Sequence, residues 1–133
     1  MTCARGASAL QDLLAENADV RLHVFVVWER VIPTDIAEPT NGKLAVVRDA
    51  RVEQYWDPTR AISKDIVRAV LASPPRYPLS QDIDATTIVW DMIAVFPKGV
   101  RWEADIPVPL YHGEPVVRAI PELRRTLAAM VEN

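Results

Sequence analysis

Two sets of residues in this sequence could carry chemistry: a single thiol, and several acids placed beside aromatic rings. Cys3 is the one cysteine of the chain. It stands just before Ala4–Glu16, where Ala7, Leu10, Leu13, Leu14 and Asn17 repeat at helical spacing. A thiol at the head of a helix is expected to lose its proton more readily, because the helix dipole favours the thiolate. The plainer reading is an exposed, inert thiol near a chain end. Dithiol exchange needs an attacking and a resolving sulfur, so one cysteine supplies half of a cycle.

Each of the four tryptophans is followed by an acid: Trp28-Glu29, Trp56-Asp57, Trp90-Asp91 and Trp102-Glu103. Their spacings are unequal, so they form no repeat. Packed rings with capping or solvated acids are favoured over one shared ligand site. Position still singles out some of them. Ligands of α/β sheets bind beyond the carboxyl ends of parallel strands. Trp28 and Glu29 mark such an end, and the Pro33-Thr34-Asp35 loop leaves from it. A cleft holding Trp28 and Asp35 is therefore expected, with Trp56 and Asp57 able to join, and Cys3 as well if its helix opens on that same edge. The first reading of Asp57 is as a helix cap, with Trp56 over the first turn.

Other chemistries find no motif. His23 and His112 are not four residues apart and have no Cys or Glu at ligand spacing, so no metal site is expected. Gly42-Lys43-Leu44 lacks the upstream Gly and the Ser/Thr of a phosphate loop, and no dinucleotide or serine-hydrolase signature occurs. No cofactor is expected. An enzyme built on Asp35, Asp57 or Asp91 has no spacing to support it.

The elements that must position these groups follow from patterning. Val20–Trp28 is the longest β-branched and aromatic run and predicts a strand, apolar on both faces from Val24 onward. Glu29–Asn41 reads as loop. Lys43–Val47 reads as a short helix capped by Thr40 or as a short strand, the helix being favoured, and Asp49–Trp56 is ambiguous. Asp57 at an N-cap and Pro58 at the first helical position predict a helix over Thr59–Ala72, ended by Ser73-Pro74-Pro75. Arg76–Ala85 reads as loop and Thr86–Phe96 as a second main strand. Pro107–Tyr111 and Pro115–Ala119 read as short strands about a His112-Gly113-Glu114 turn. Pro121 is expected to open the last helix.

The 133 residues predict one domain spanning 1–133, with half of the residues hydrophobic and a quarter charged. Fifteen Lys and Arg against 18 Asp and Glu leave a net charge of −3 and no basic patch, so no nucleic-acid partner is expected. No apolar run reaches the ~20 residues of a membrane span, and no signal peptide is visible. One cysteine fits a reducing, cytoplasmic location. A homo-oligomer or a protein partner is expected, because an apolar strand with an open edge invites association.

Thr2-Cys3-Ala4-Arg5-Gly6-Ala7, then a helix, then Val24-Phe25-Val26-Val27-Trp28, resembles the region after a thioredoxin-type Cys-x-x-Cys. Pro33-Thr34-Asp35, Tyr55-Trp56-Asp57-Pro58 and Val89-Trp90-Asp91 are similar to segments of bacterial thioredoxin-like proteins of unassigned role. The resemblance implies an α/β, three-layer thioredoxin-like sandwich. It makes Cys3 the second cysteine of the pair, with the first cysteine and the family's first strand upstream of Met1. It places a cis-proline where Ala85-Thr86-Thr87 stands, with Pro107 as the other candidate. A thioredoxin-like domain without dithiol turnover is the function it implies, Cys3 at most forming mixed disulfides. The alternative is a binding or assembly module using a sheet edge and the Pro-rich loops.

Overall fold

A computed structural model describes residues 2–72 and 83–132 of the chain. Among the described residues, four helices and four strands run in the order α1 (Thr2–Glu16), β1 (Val24–Glu29), α2 (Asn41–Leu44), β2 (Val52–Asp57), α3 (Ala61–Ala72), β3 (Ile93–Val95), β4 (Tyr111–Gly113) and α4 (Val116–Glu132). The class is α/β, with two separate two-stranded sheets. No described helix is long and apolar enough to cross a membrane.

α1 forms where its apolar spacing places it, and it serves two cores. Leu13, 1% exposed, packs into a cluster with Val116, Ile120, Leu123 and Leu127 of α4. Leu14, also 1% exposed, packs with Ala7 and Val47 against Leu22, Val24, Trp28 and Val52. Adjacent positions on one helix thus face different halves of the molecule. A third cluster joins Ile66 and Val70 of α3 to Ile106, with Val89, Met92 and Phe96 at its margin.

β1 and β2 are parallel, with Val24 opposite Val52 and Glu29 opposite Asp57. Arg51, the residue before β2, ties this pair to α1. Its guanidinium donates to the Leu14, Asn17 and Val20 carbonyls at 2.7–2.8 Å, and to both oxygens of Asp49. Carbonyls at a helix end lack intrahelical partners, so a planar five-donor group suits them. Hydrogen bonds from Arg51 hold the Asp49 carboxyl down at about 2, against an ordinary 3.8. Its stabilising share is present above that ordinary value and is lost as pH falls toward 2.

Several expectations are corrected here. The first strand begins at Val24, because Val20 still closes the turn with its N–H on the Asn17 carbonyl. The partner of β1 is β2, which resolves the ambiguous Asp49–Trp56 stretch. Only Ile93–Val95 of the long second strand is in a sheet, paired antiparallel with β4. β1 is covered on one face only, since Phe25 is 58% exposed on the other. α2, with Thr40 as its cap, spans Asn41–Leu44, slightly before the expected Lys43–Val47. α3 starts at Ala61: Pro58 and Thr59 form a turn, and Arg60 takes φ 58° just before the helix. Ser73-Pro74-Pro75, and most of the Arg76–Ala85 loop, lie outside the described residues.

The region after Leu110 differs most. His112 lies in β4, where a turn was expected, and Pro115–Ala119 leads into α4 instead of forming a strand. Pro121 lies inside that helix. An interior proline costs roughly 3 kcal/mol. Burying a Val, Ile or Leu side chain returns about 1.5–3 kcal/mol each, and Val116, Ile120, Leu123 and Leu127 are all buried. The stripe outweighs the proline. The cis peptide bond among the described residues is Glu114–Pro115, not one at Pro107 or in the Ala85–Thr87 loop.

Leu13→Ala and Leu14→Ala should each destabilise by about 2–5 kcal/mol in urea unfolding. Each reports on a different cluster. A loss below 1 kcal/mol for either would show that α1 does not join the two cores.

Candidate functional site

The expected cleft resolves into two neighbourhoods. Arg51, at the start of β2, holds the C-terminal carbonyls of α1, so α1 runs back toward the carboxyl ends of β1 and β2. Cys3, in its first turn, and the Glu29–Asp57 pair are thereby brought to the same end of the molecule.

Around Cys3 the groups are acidic. Asp91 and, more weakly, Asp35 act on the thiol electrostatically. Asp91 takes φ 51°, a left-handed conformation that Asp tolerates better than most residues. Its carboxyl accepts the Val116 N–H and so caps α4. Burial pushes the Asp91 carboxyl up, and Glu114 adds to this. Gly6 makes the approach possible: a Cβ there would lie 2.6 Å from the Asp91 Oδ1 and 3.2 Å from the Val116 Cβ.

This setting runs against the lowered pKa that a helix start alone would give. Cys3 is exposed as a residue. Even so, partial burial raises its pKa, and the Asp91 charge raises it further. Burial first, and the neighbouring anion second, outweigh the groups that would lower it.

The other neighbourhood sits where β1 and β2 end. Ser63, 2% exposed in the first turn of α3, donates its N–H to Glu29 Oε1 at 2.9 Å. Its hydroxyl lies 2.6 Å from Glu29 Oε2. Asp57 Oδ2 accepts the Ile62 N–H at 3.0 Å, and Asp57 Oδ1 accepts the Thr59 hydroxyl at 3.2 Å. Asp57 thus caps α3 from the end of a strand rather than from a formal N-cap position. Burial pushes Asp57 up, but the Ile62 and Ala61 N–H groups and Thr59 outweigh it and leave the pKa low. For Glu29, burial wins over the Ser63 hydrogen bonds, and the adjoining Asp57 carboxyl raises it further.

The remaining candidates make contacts within the fold. The Trp28 indole N–H donates to Gln54 Oε1 at 2.9 Å, and its ring packs against the α1 cluster. Gln54 donates in turn to the Leu44 and Val47 carbonyls, fastening the end of α2. Trp56 is half-buried opposite Trp28. Asp35 accepts the Ile32 N–H at 3.1 Å and closes its own loop. Sequence reasoning missed Ser63, which no motif marks, and the role of Gly6. Among the described residues, no three of His, Cys, Asp or Glu form a metal-ligand group.

A shallow pocket of about 40 Å³ lies beside this end, lined by residues including Thr87, Val89, Trp90, Met92 and Glu114. Comparison with known proteins finds no matching family model, no similar curated protein and no similar solved structure.

Replacing an interior helical glycine with alanine ordinarily gains ~1 kcal/mol. Gly6→Ala should instead destabilise, because Asp91 and Val116 must retreat. Thermal unfolding checks the sign. A raised midpoint would mean the close approach is not as described.

Proposed function

We propose that the chain is a thioredoxin-like domain without dithiol turnover, in which Cys3 is limited to slow mixed-disulfide formation. The observation that carries this reading is the setting of Cys3. It is the one thiol in the sequence, exposed at the head of the helix leading into β1, beside the Asp91 carboxylate. The element order supports the sandwich: helix, strand, helix, antiparallel pair, helix, with α2 and β2 between the first strand and α3.

The chemistry follows from one sulfur. The Cys3 thiolate attacks one sulfur of a disulfide such as oxidised glutathione. A protein–glutathione S–S bond forms, the S–S bond of the reagent breaks, and the second glutathione leaves as a thiolate. With no second thiol in these 133 residues, the mixed disulfide is not resolved internally.

Disulfide reductase activity with a dithiol donor should stay at background, while oxidised glutathione should add one glutathione by mass. Asp91→Asn should speed that addition at pH 7–8, since it removes a charge that disfavours the thiolate. Turnover lost on Cys3→Ser, or an addition rate unchanged in Asp91→Asn, would contradict the reading.

A second reading, an assembly module, rests on the uncovered face of β1 and β2. Phe25 and Tyr55 are 58% and 50% exposed, and the His23 ring lies 4.3 Å from the Phe25 ring. Glu53 accepts from Tyr55 at 2.5 Å and meets His23 at 2.6 Å, which holds the rings in place. Size-exclusion chromatography across concentrations should show self-association that Phe25→Ser reduces. A monomer at every concentration would remove this reading.

A further inference from the structure

Ser63 is nearly inaccessible and holds three elements together. Besides its two contacts with Glu29 of β1, its Oγ lies 3.0 Å from both the Val89 N and the Val89 O. The Val89 N–H donates to Oγ. The hydroxyl has a single proton, which two acceptors compete for: Glu29 Oε2 at 2.6 Å and the Val89 carbonyl at 3.0 Å.

We infer that Glu29, Ser63 and the Val89 backbone form a proton-gated latch that fastens the segment carrying Trp90 and Asp91 to α3. With Glu29 ionised, the carboxylate accepts the Ser63 hydroxyl's hydrogen bond, and the Val89 carbonyl receives none from Ser63. A proton taken from solvent by Glu29 reverses this. The new carboxylic acid donates to the adjoining Asp57 carboxylate, its hydrogen-bond neighbour across the β1–β2 register. Ser63 then turns about its Cβ–Oγ bond and donates to the Val89 carbonyl. Val89 is now held through both its N–H and its C=O. The one covalent change is the O–H bond that Glu29 gains from hydronium, which leaves as water; every other change is a switch of hydrogen-bond partner.

The surroundings favour a proton at Glu29. Asp57 is the charged group that faces it from β2, and α3 presents the neutral Ser63. Arg30, next along the chain, turns instead to the Pro33 carbonyl at 3.4 Å. Among the described residues Glu29 forms no ion pair with a basic side chain. Burial and the Asp57 charge raise its pKa. The sign follows from linkage: a group raised on folding contributes stability below its unfolded pKa, and that stability is lost as pH rises through the folded value. The latch is therefore tightest on the acid side. The limit at low pH is protonation of Asp57, which removes the acceptor.

NMR of the intact chain tests this. The Glu29 side-chain carboxyl should titrate above the ordinary 4.5. The Trp90 amide nitrogen, which senses hydrogen bonding at the Val89 carbonyl, should shift with the same midpoint. Glu29→Gln and Ser63→Ala should each abolish that shift, and Asp57→Asn should move the midpoint down. Should Ser63→Ala fail to fold, Glu29→Gln and Asp57→Asn carry the test. An ordinary Glu29 midpoint overturns the latch. So does a Trp90 amide that ignores the titration, or one that still follows pH in Glu29→Gln. None of these readings involves Cys3, so the outcome is independent of the thiol chemistry.

Discussion

The arrangement depends on one guanidinium. Arg51 lies between the end of α1 and the start of β2; it donates to the Leu14, Asn17 and Val20 carbonyls of the helix end and its turn, while Asp49 accepts from it and holds it in place. A lysine has neither the planar fork nor the number of donors to span them. This contact fixes which end of α1 meets which end of the β1–β2 pair. The parallel register then sets Glu29 beside Asp57 at the far end. An interaction at the amino end of β2 thus determines the acids that gather at its carboxyl end.

α1 transmits a second constraint. It is packed on two sides, through Leu13 toward α4 and through Leu14 toward β1 and β2. Such a helix cannot shift toward one half without opening a void against the other. Gly6 lets the Asp91 carboxyl and Val116 approach the helix closely. Closeness has an electrostatic consequence, because the carboxyl that caps α4 also adds to the upward push that burial gives the Cys3 thiol.

The two neighbourhoods are joined through Val89, Trp90 and Asp91. Val89 meets Ser63, while Asp91, two residues on, caps α4 and acts on Cys3. Bonding at the end of β1 therefore bears on the segment that carries the thiol's neighbouring charge.

What the sequence determined by itself is what depends on local periodicity and local hydrogen bonding. The 3.6-residue stripe of α1, the Ile66, Val67 and Val70 stripe of α3 and the Thr40 cap of α2 were legible because their partners lie a few residues away. So was the β1 core, from its β-branched run. Asp57 was legible as a cap, although it acts from a strand end. Tertiary structure decided the rest. Pro107–Tyr111 and Pro115–Ala119 carry short apolar runs that suit strand or helix alike, and only packing on α1 and β3 made the second one lead into a helix. The start of that helix defied the proline signal because burial along α4 exceeds the loss of one backbone bond. At the site, the place of Cys3 at a helix start pointed to a lowered pKa, beside the plainer reading of an inert thiol. Burial and Asp91, 88 positions away in sequence, push it the other way, and Ser63 entered by the same route. Charge and hydrogen bonding act through space, and the distances that set them exist only once the chain has folded.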